Sequence, residues 1–328
     1  MRLVGVEVRR LLARRMLVAV VGAAVAAVVL VAIGVFFSSR PLTDAEVEQA
    51  ERAFEQAQAD WGREGERMVA DCEAAEAEER EATGLDVDLG CDQMAPQEEW
   101  FVPQRADFAG TAADVLATTA LVFLFLALLL GVTATAAEAT TGSLGTWLTF
   151  VPRRTPVLAS KLAAAGAVAL VVVTASVALL VAGLWLVHTA NGATGGTTAP
   201  VWREIGGTSV RLVVAGGVAG VAGAALGILL RHTAAALGVL VGWAIAVEAV
   251  LGGLLPGLQG WLLATNLAAW VEDGASYWTD RCVVTSRGTS CQSVEHVVTV
   301  AQGGLWLLGV SVALVLVTGA VFRRRDVV

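Results

Sequence analysis

The sequence predicts an all-α polytopic membrane protein with six transmembrane helices, cytoplasmic N- and C-termini and a mainly helical extracytoplasmic insert. The first observation is composition, since 56% of the 328 residues are hydrophobic and only 16% are charged. The second is the series of long uncharged runs described below. The third is charge separation: residues 38–107 carry a net charge of -14, whereas the other residues sum to +6. This separation excludes a soluble enzyme with evenly mixed surface charge.

The first apolar run covers residues 16–37 and contains 22 uncharged residues. As a helix it would be about 33 Å long, which is enough to cross roughly 30 Å of hydrocarbon. A cleavable signal peptide is the alternative, but its apolar stretch is usually only about 7–15 residues long. Five further predicted spans cover residues 115–137, 161–187, 212–230, 233–255 and 297–322.

Cations beside the runs predict their orientation, because Arg and Lys next to a span tend to stay in the cytoplasm. With the N-terminus inside, 12 of the 22 cations fall on short internal segments. These internal cations are Arg2, Arg9, Arg10, Arg14, Arg15, Arg153, Arg154, Lys161, Arg231, Arg323, Arg324 and Arg325. Both termini are then cytoplasmic and the acidic insert is external.

The chain is thereby divided into an ordered set of segments. They are an amphipathic interfacial helix at 1–15, a first span at 16–37, the acidic insert at 38–111, five further spans within 112–322, and a basic tail at 323–328. The basic first segment suits a helix lying in the membrane interface. A simple basic flank that only fixes orientation is the alternative reading of the same residues.

The insert begins with residues 43–82, which are rich in Ala, Glu and Gln and predict a long helix or a helical hairpin. Gly62 and Gly65 are positions where such a helix could break. Larger or apolar residues recur at heptad spacing, namely Val47, Phe54, Trp61, Met68 and Ala75. This acidic surface is either solvated or an electronegative vestibule that attracts a cationic peptide or drug.

The four cysteines, Cys72, Cys91, Cys282 and Cys291, all fall in predicted external segments. An oxidising environment permits disulfides there. Four cysteines allow three pairings, and proximity favours Cys72 with Cys91 and Cys282 with Cys291. A metal site is not expected, because no Cys-x-x-Cys spacing is present.

Residues 256–296 form a second external segment that contains aromatic residues typical of membrane interfaces. We expect it to cap the bundle. Its aromatic residues are Trp261, Trp270, Tyr277 and Trp278.

Motifs for catalysis are missing from the sequence. No stretch matches G-x-x-x-x-G-K-[ST], so the chain has no phosphate-cradling loop and we expect no ATP hydrolysis by this chain alone. H-E-x-x-H is also absent, which disfavours intramembrane proteolysis.

The internal loop between the second and third spans, residues 138–160, combines a helix-capable stretch with a proline break and a pair of arginines. Composition alone leaves two readings, a docking site for a soluble partner or a plain connection with topogenic arginines. The loop resembles the E-x-x-x-G-x-L-x-x-x-L-x-x-x-P-R-R-x(6)-K pattern of type 2 ABC transporter permeases. The matching residues are Glu138, Gly142, Leu144, Leu148, Pro152, Arg153, Arg154 and Lys161. Residues 229–270 and the ending FRRRDVV are also similar to actinobacterial permease subunits.

The resemblance implies a half-transporter that works with a second copy or a similar permease and with separate cytoplasmic ATPases. It implies no cofactor in this chain, with ATP and Mg on the partner ATPase, and no nucleic-acid partner. In that family the loop after the second span is a coupling helix, so Glu138 through Phe150 would lie against the ATPase. Arg153 and Arg154 would anchor the loop at the membrane interface. The resemblance also implies a bacterial plasma membrane, with its lipids as partners.

Two features within the spans leave alternatives open. Glu248 lies in the fifth span, where an ionised side chain costs at least about 2.5 kcal/mol. It is either part of a translocation path or gate, or a structural partner of Arg211 or of a backbone donor. Glycines in the fourth span, Gly216, Gly220, Gly223 and Gly227, indicate tight packing within the chain, a dimer seam or a broken substrate-binding helix.

The leading hypothesis is an export-type ABC permease that moves a hydrophobic or amphipathic substrate. A secondary transporter is the competing transport class, although it would ordinarily show inverted repeats and midplane ionisable groups. A membrane sensor or scaffold that binds through its acidic ectodomain is the non-transporting alternative.

Overall fold

The computed structural model describes residues 2–84, 87–141, 153–285 and 288–324. The main helices are α1 (Arg2–Leu12), α2 (Arg15–Ser39), α3 (Asp44–Thr83), α4 (Phe108–Thr140), α5 (Arg154–Ala190), α6 (Ala199–Leu230), α7 (Thr233–Trp243), α8 (Leu263–Val271) and α9 (Val300–Arg324). The strands are β1 (Ala275–Thr285) and β2 (Gly288–Val298). After α7 the chain continues as a π-helix, Ala244–Leu251, and a single turn, Gly252–Leu254.

Six helices in the described part of the chain are long and apolar enough to cross a membrane. They are α2, α4, α5, α6, α9 and the segment Thr233–Leu254 that begins with α7. The predicted number of spans is confirmed. Several helices begin well before the apolar run, because helix starts are set by caps rather than by hydropathy. At the start of α4, for example, the Asp107 carboxylate accepts a hydrogen bond from the Gly110 N–H at 2.7 Å.

Helices α4, α5 and α6 form the tightly packed centre of the bundle, and glycines make this packing possible. A Cβ on Gly223 would lie 2.1 Å from the Leu128 carbonyl oxygen of α4, and one on Gly220 would lie 2.4 Å from the Ala169 Cβ of α5. The Thr135 hydroxyl of α4 also donates to the Ala224 carbonyl of α6 at 2.9 Å. The glycine stripe of the fourth span therefore packs against helices of its own chain.

The bundle has two distinct ends. At the basal end, which we define by α1 and the C-terminus of α9, the Arg154 guanidinium donates to the Phe322 carbonyl at 3.3 Å. At the insert end, which we define by α3, α8 and the two strands, Arg105 donates to the Ser39 carbonyl at 2.8 Å and to the Asn191 carbonyl at 2.6 Å. The two ends of the insert are thus tied to each other and to the α5–α6 connection.

Helix α3 is a single helix of 40 residues without a break at Gly62 or Gly65, which would make it about 60 Å long. Its heptad seam is only partly covered: Phe54 packs on Phe101 at 5.7 Å between ring centroids, whereas Val47 is 40% exposed. The disulfide between Cys72 and Cys91 joins α3 to the returning segment, and the first predicted cysteine pairing is confirmed.

The start of α3 is a capping box. The Thr43 hydroxyl accepts from the Glu46 N–H at 3.3 Å, and the Glu46 carboxylate accepts from the Thr43 N–H at 2.8 Å. The hydrogen bonds from the Thr43 backbone and side chain, with Arg40 nearby, hold the pKa of Glu46 below its ordinary value.

We expect Thr43→Ala to raise the pKa of Glu46, because it removes the hydroxyl hydrogen bond that favours the charged form. A depressed folded-state pKa stabilises the cap above the unfolded pKa, and this contribution is lost as the pH falls through the folded pKa. NMR titration of the Glu46 carboxyl in the Thr43→Ala and parent proteins measures the change. An unchanged titration curve would contradict the assignment.

Strands β1 and β2 pair antiparallel, with Tyr277 opposite His296 and Cys282 opposite Cys291. This hairpin was not predicted from the sequence, although Val283, Val284 and Thr285 followed shortly by Gly288 are a strand-and-turn signal. Direct opposition of Cys282 and Cys291 brings their backbones close, as a disulfide requires, and the second pairing stays a prediction. The fold class is confirmed in that the described chain is mostly helical and has six candidate spans. The structure adds a β-hairpin at the insert end, and the sides of the membrane on which the termini and the insert lie stay predictions.

Candidate coupling site at the basal end

Helix α1 lies against α5 and presents an acidic side chain to the protein. Glu7 and Leu11 are 3% and 8% exposed, whereas Val6 and Leu12 are 43% and 57% exposed. The helix therefore has one face packed on the bundle and apolar residues on another face, as suits a helix in the membrane interface. Glu7 is the acidic residue of the buried face.

Lys161 of α5 lies between two carboxylates. Its ammonium group donates to Glu7 Oε1 at 2.9 Å and to Glu138 Oε2 near the end of α4. The three side chains are only 4–5% exposed. Isolated charges buried to this extent would be strongly destabilising, so each depends on the others. We call Glu7, Glu138 and Lys161 the basal triad.

Two arginines of the α1 region complete the charge balance around the triad. Arg14 donates to Glu138 Oε1 at 2.6 Å and to the Ala134 carbonyl at 2.8 Å. Arg10 lies 3.6 Å from the Glu138 carboxylate and 3.8 Å from that of Glu7. A guanidinium near the C-terminus of α4 also suits the negative end of the helix dipole. The connection between α1 and α2 is thereby fixed to the end of α4.

Arg154 makes a second anchor at the start of α5. Its guanidinium donates to the carbonyls of Phe322 and Arg323 at 3.3 and 3.2 Å, in the last turn of α9. These are carbonyls that the helix itself leaves without intrahelical partners. The neighbouring Arg153 is exposed. The described residues on both sides of the α4–α5 connection are therefore each held by an anchor, Glu138 before it and Arg154 after it.

The residues predicted from the family resemblance fall into three groups. Glu138 and Lys161 meet in the basal triad, and Arg154 binds the end of α9. Arg153 is exposed next to the connection. The remaining predicted residues, Gly142, Leu144, Leu148 and Pro152, lie outside the described residues.

Sequence reasoning missed Glu7 and did not single out Arg14 as a partner of Glu138. The signal was present, because Glu7 is the only acidic residue among residues 1–15 and lies between apolar residues of a basic helix. A lone carboxylate in such a place needs a cation from elsewhere in the chain. Its partner, Lys161, is 154 positions away and could not be identified by spacing.

Glu248 lies at the opposite, insert end of the bundle. Its carboxylate accepts from the indole N–H of Trp243 at 2.9 Å and from the N–H groups of Leu263 and Ala264 at 3.0 and 3.1 Å. This geometry matches one alternative from the sequence, in which Glu248 is a structural partner of a backbone donor. Arg211 instead pairs with Asp273 at 2.5 Å.

No group of three or more His, Cys, Asp or Glu side chains that could hold a metal ion is present among the described residues. The charged clusters of the basal end are ion pairs between acids and cations. These ion pairs hold α1, α4 and α5 together at the basal end.

Six helices long and apolar enough to cross a membrane, in the part of the chain that the structure describes, indicate a multi-pass membrane protein. An amphipathic first helix and a buried ionic cluster lie at one end of this bundle. The family model described as "ABC-2 family transporter protein" matches residues 1–327. The chain therefore belongs to the ABC-2 transporter family and is a membrane permease of the ABC transporter class. No curated protein and no solved structure matches the chain.

Proposed function

We propose that the chain is the membrane subunit of an ATP-driven exporter in a bacterial plasma membrane, with its basal end in the cytoplasm. Two permeases, either two copies or this chain and a similar one, work with separate ATPase subunits. ATP and Mg bind to those subunits. The substrate is hydrophobic or amphipathic and moves through the apolar bundle.

The observation that carries this proposal is the anchoring of the α4–α5 connection at both of its ends. Glu138 before the connection is bonded to Lys161 and Arg14, and Arg154 after it is bonded to the end of α9. A push on this connection would act on α1, α4, α5 and α9 together. A plain surface loop would not need buried ionic anchors, whose desolvation is costly.

The distribution of cations supports the orientation. Described cations of the basal end include Arg9, Arg10, Arg14, Arg15, Arg153, Arg154, Lys161, Arg231, Arg323 and Arg324. Such an excess beside span ends favours the cytoplasmic side. The acidic α3 and the Cys72–Cys91 disulfide then lie outside, where disulfides persist.

The proposed mechanism follows from differential binding. ATP-bound and ATP-free partner subunits would contact the α4–α5 connection differently, and only such a difference can shift the bundle between two arrangements. Because the basal triad holds α1, α4 and α5 as one unit, the shift would be a rigid-body movement of this unit rather than a local loop change.

Charge reversal at Arg153 tests the docking role. We expect Arg153→Glu to lower the amount of ATPase subunit that co-purifies by about tenfold, since a reversed charge at an interface is unfavourable and about 1.4 kcal/mol suffices for this change. Arg153 is exposed, so the fold should remain intact. The measurement is the ratio of ATPase to permease after affinity purification from cells that express both.

Arg203→Glu is the matched control, because Arg203 is an exposed arginine near the insert end, at the start of α6. It should leave the ratio unchanged. Equal recovery of the ATPase with parent, Arg153→Glu and Arg203→Glu would count against docking at the α4–α5 connection.

A further inference from the structure

Helix α8 covers the insert end of the bundle without spanning it. Val271 in its last turn is 2% exposed and belongs to the same apolar cluster as Leu212 of α6 and Phe108 of α4. Along its length α8 lies against α9, where a Cβ on Gly303 would approach the Asn266 carbonyl oxygen to 2.6 Å. The helix has nine residues, so its own hydrogen bonds stabilise it only marginally.

The N-terminus of α8 is held by the carboxylate of another helix. Leu263 and Ala264 have N–H groups in the first turn, which lack intrahelical partners, and both donate to Glu248. A negative charge at this position also interacts favourably with the helix dipole. Glu248 therefore acts as an N-cap supplied from the fifth span.

Glu248 lies in the π-helix that follows α7. In a π-helix, hydrogen bonds join residues five positions apart. Trp243 and Glu248 are five apart, and the Trp243 indole N–H donates to the Glu248 carboxylate at 2.9 Å. The carboxylate is thus oriented by its own helix before it meets α8. π-Helical segments are frequent at functional sites.

The C-terminal end of α8 is held by a cation from α6. Asp273, just beyond the helix, pairs with Arg211 at 2.5 Å. The Trp270 indole N–H donates to the Arg211 carbonyl at 2.9 Å. Guanidinium at the C-terminal end and carboxylate at the N-terminal end both match the helix dipole. Polar contacts thus hold the two ends of α8, while apolar packing holds its middle.

We propose that Glu248 is a positioning residue that holds α8 as a lid over the insert end of the bundle. This inference rests on the proposed function, in which a substrate must leave at that end. Release of α8 breaks the two hydrogen bonds from Leu263 and Ala264 to Glu248 and uncovers the apolar cluster beneath Val271. Glu248 thus serves the exit by holding the lid rather than by binding the substrate.

Cysteine labelling in the full-length chain tests whether Glu248 holds α8 in place. Val271→Cys places a thiol of similar size under the lid, and a membrane-impermeant maleimide reports how often α8 lifts. We expect Glu248→Ala to accelerate labelling of this cysteine by about tenfold or more, because local opening becomes easier once the cap is lost. Glu248→Gln keeps a carbonyl acceptor and should give a smaller increase.

Glu272→Ala is the control, since Glu272 is an exposed carboxylate immediately after α8. It should leave the labelling rate unchanged. Asp273→Asn removes the charge that pairs with Arg211 and suits the positive φ of 70° at this position, so it should accelerate labelling by loosening the C-terminal end of α8. It keeps the test valid if Glu248→Ala does not fold. Labelling at the parent rate in Glu248→Ala, or in both Glu248→Gln and Asp273→Asn, would overturn the proposal.

The assay does not require an ATPase, so its outcome is separate from that of the co-purification experiment. Fast labelling in Glu248→Ala with no ATPase recovered would support the lid and contradict the transporter proposal. Parent-rate labelling with normal ATPase recovery would contradict the lid alone.

Discussion

Replacement of Lys161 by methionine should destabilise the folded chain by about 3–5 kcal/mol, because it leaves buried carboxylates without their shared cation. Glu7 and Glu138 both bond to this ammonium group and are at most 5% exposed at their side chains. Methionine keeps the length and apolar stem of lysine, so the change removes charge more than volume. Unfolding of the purified protein by denaturant in a mild detergent measures the loss.

Two variants separate this effect from a general sensitivity of the basal end. Arg9→Met removes an exposed cation from α1 and should change stability by less than about 0.5 kcal/mol. Adding Glu7→Gln to Lys161→Met should recover part of the loss, with a coupling energy of about 0.5–3 kcal/mol. A Lys161→Met protein as stable as Arg9→Met would contradict the assignment of the triad as a buried ionic support.

Replacement of Gly223 by alanine should destabilise the chain by about 3 kcal/mol, at the upper end of the usual range for overpacking. The added Cβ would lie 2.1 Å from the Leu128 carbonyl oxygen, which is backbone of a neighbouring span. Neither helix can relieve this overlap by a rotamer change, so α4 and α6 must separate. The Thr135 to Ala224 hydrogen bond at 2.9 Å would lengthen with them.

Gly183→Ala is the matched control, since a Cβ on this α5 glycine would meet no atom within 4 Å. Alanine is the better helix former by up to about 1 kcal/mol, so this variant should be as stable as the parent or more stable. The same denaturant unfolding assay serves both variants. Equal stability of Gly223→Ala and Gly183→Ala would contradict the close contact between α4 and α6 at Gly223.

Much of the architecture was predictable because it depends on local properties. A span needs about 20 apolar residues in succession, and each of the six spans carries such a run. The Cys72–Cys91 disulfide followed from the short separation of two cysteines in the insert. The glycine stripe indicated close helix packing, but whether the partner was α4 or a second subunit required the structure.

The candidate site was predictable only in part. Glu138 and Lys161 were selected by resemblance, yet their buried pairing with Glu7 was not expected. Glu248 was recognised as costly in its position, and its backbone partners at the start of α8 came from the structure. The hairpin of β1 and β2 was missed because strands that mix polar and apolar residues give a weaker pattern than apolar spans.

The sequence by itself determined the membrane class, the number of spans, the separation of acidic and basic ends and the family to which the chain belongs. Only the tertiary structure decided that carboxylates from α1 and α4 share one lysine of α5, and that Glu248 caps α8. The physical reason is the separation along the chain over which each property is set. Apolar length and local charge act within one segment, whereas the partner of a buried charge is set by the rotation and packing of helices that are distant in the chain.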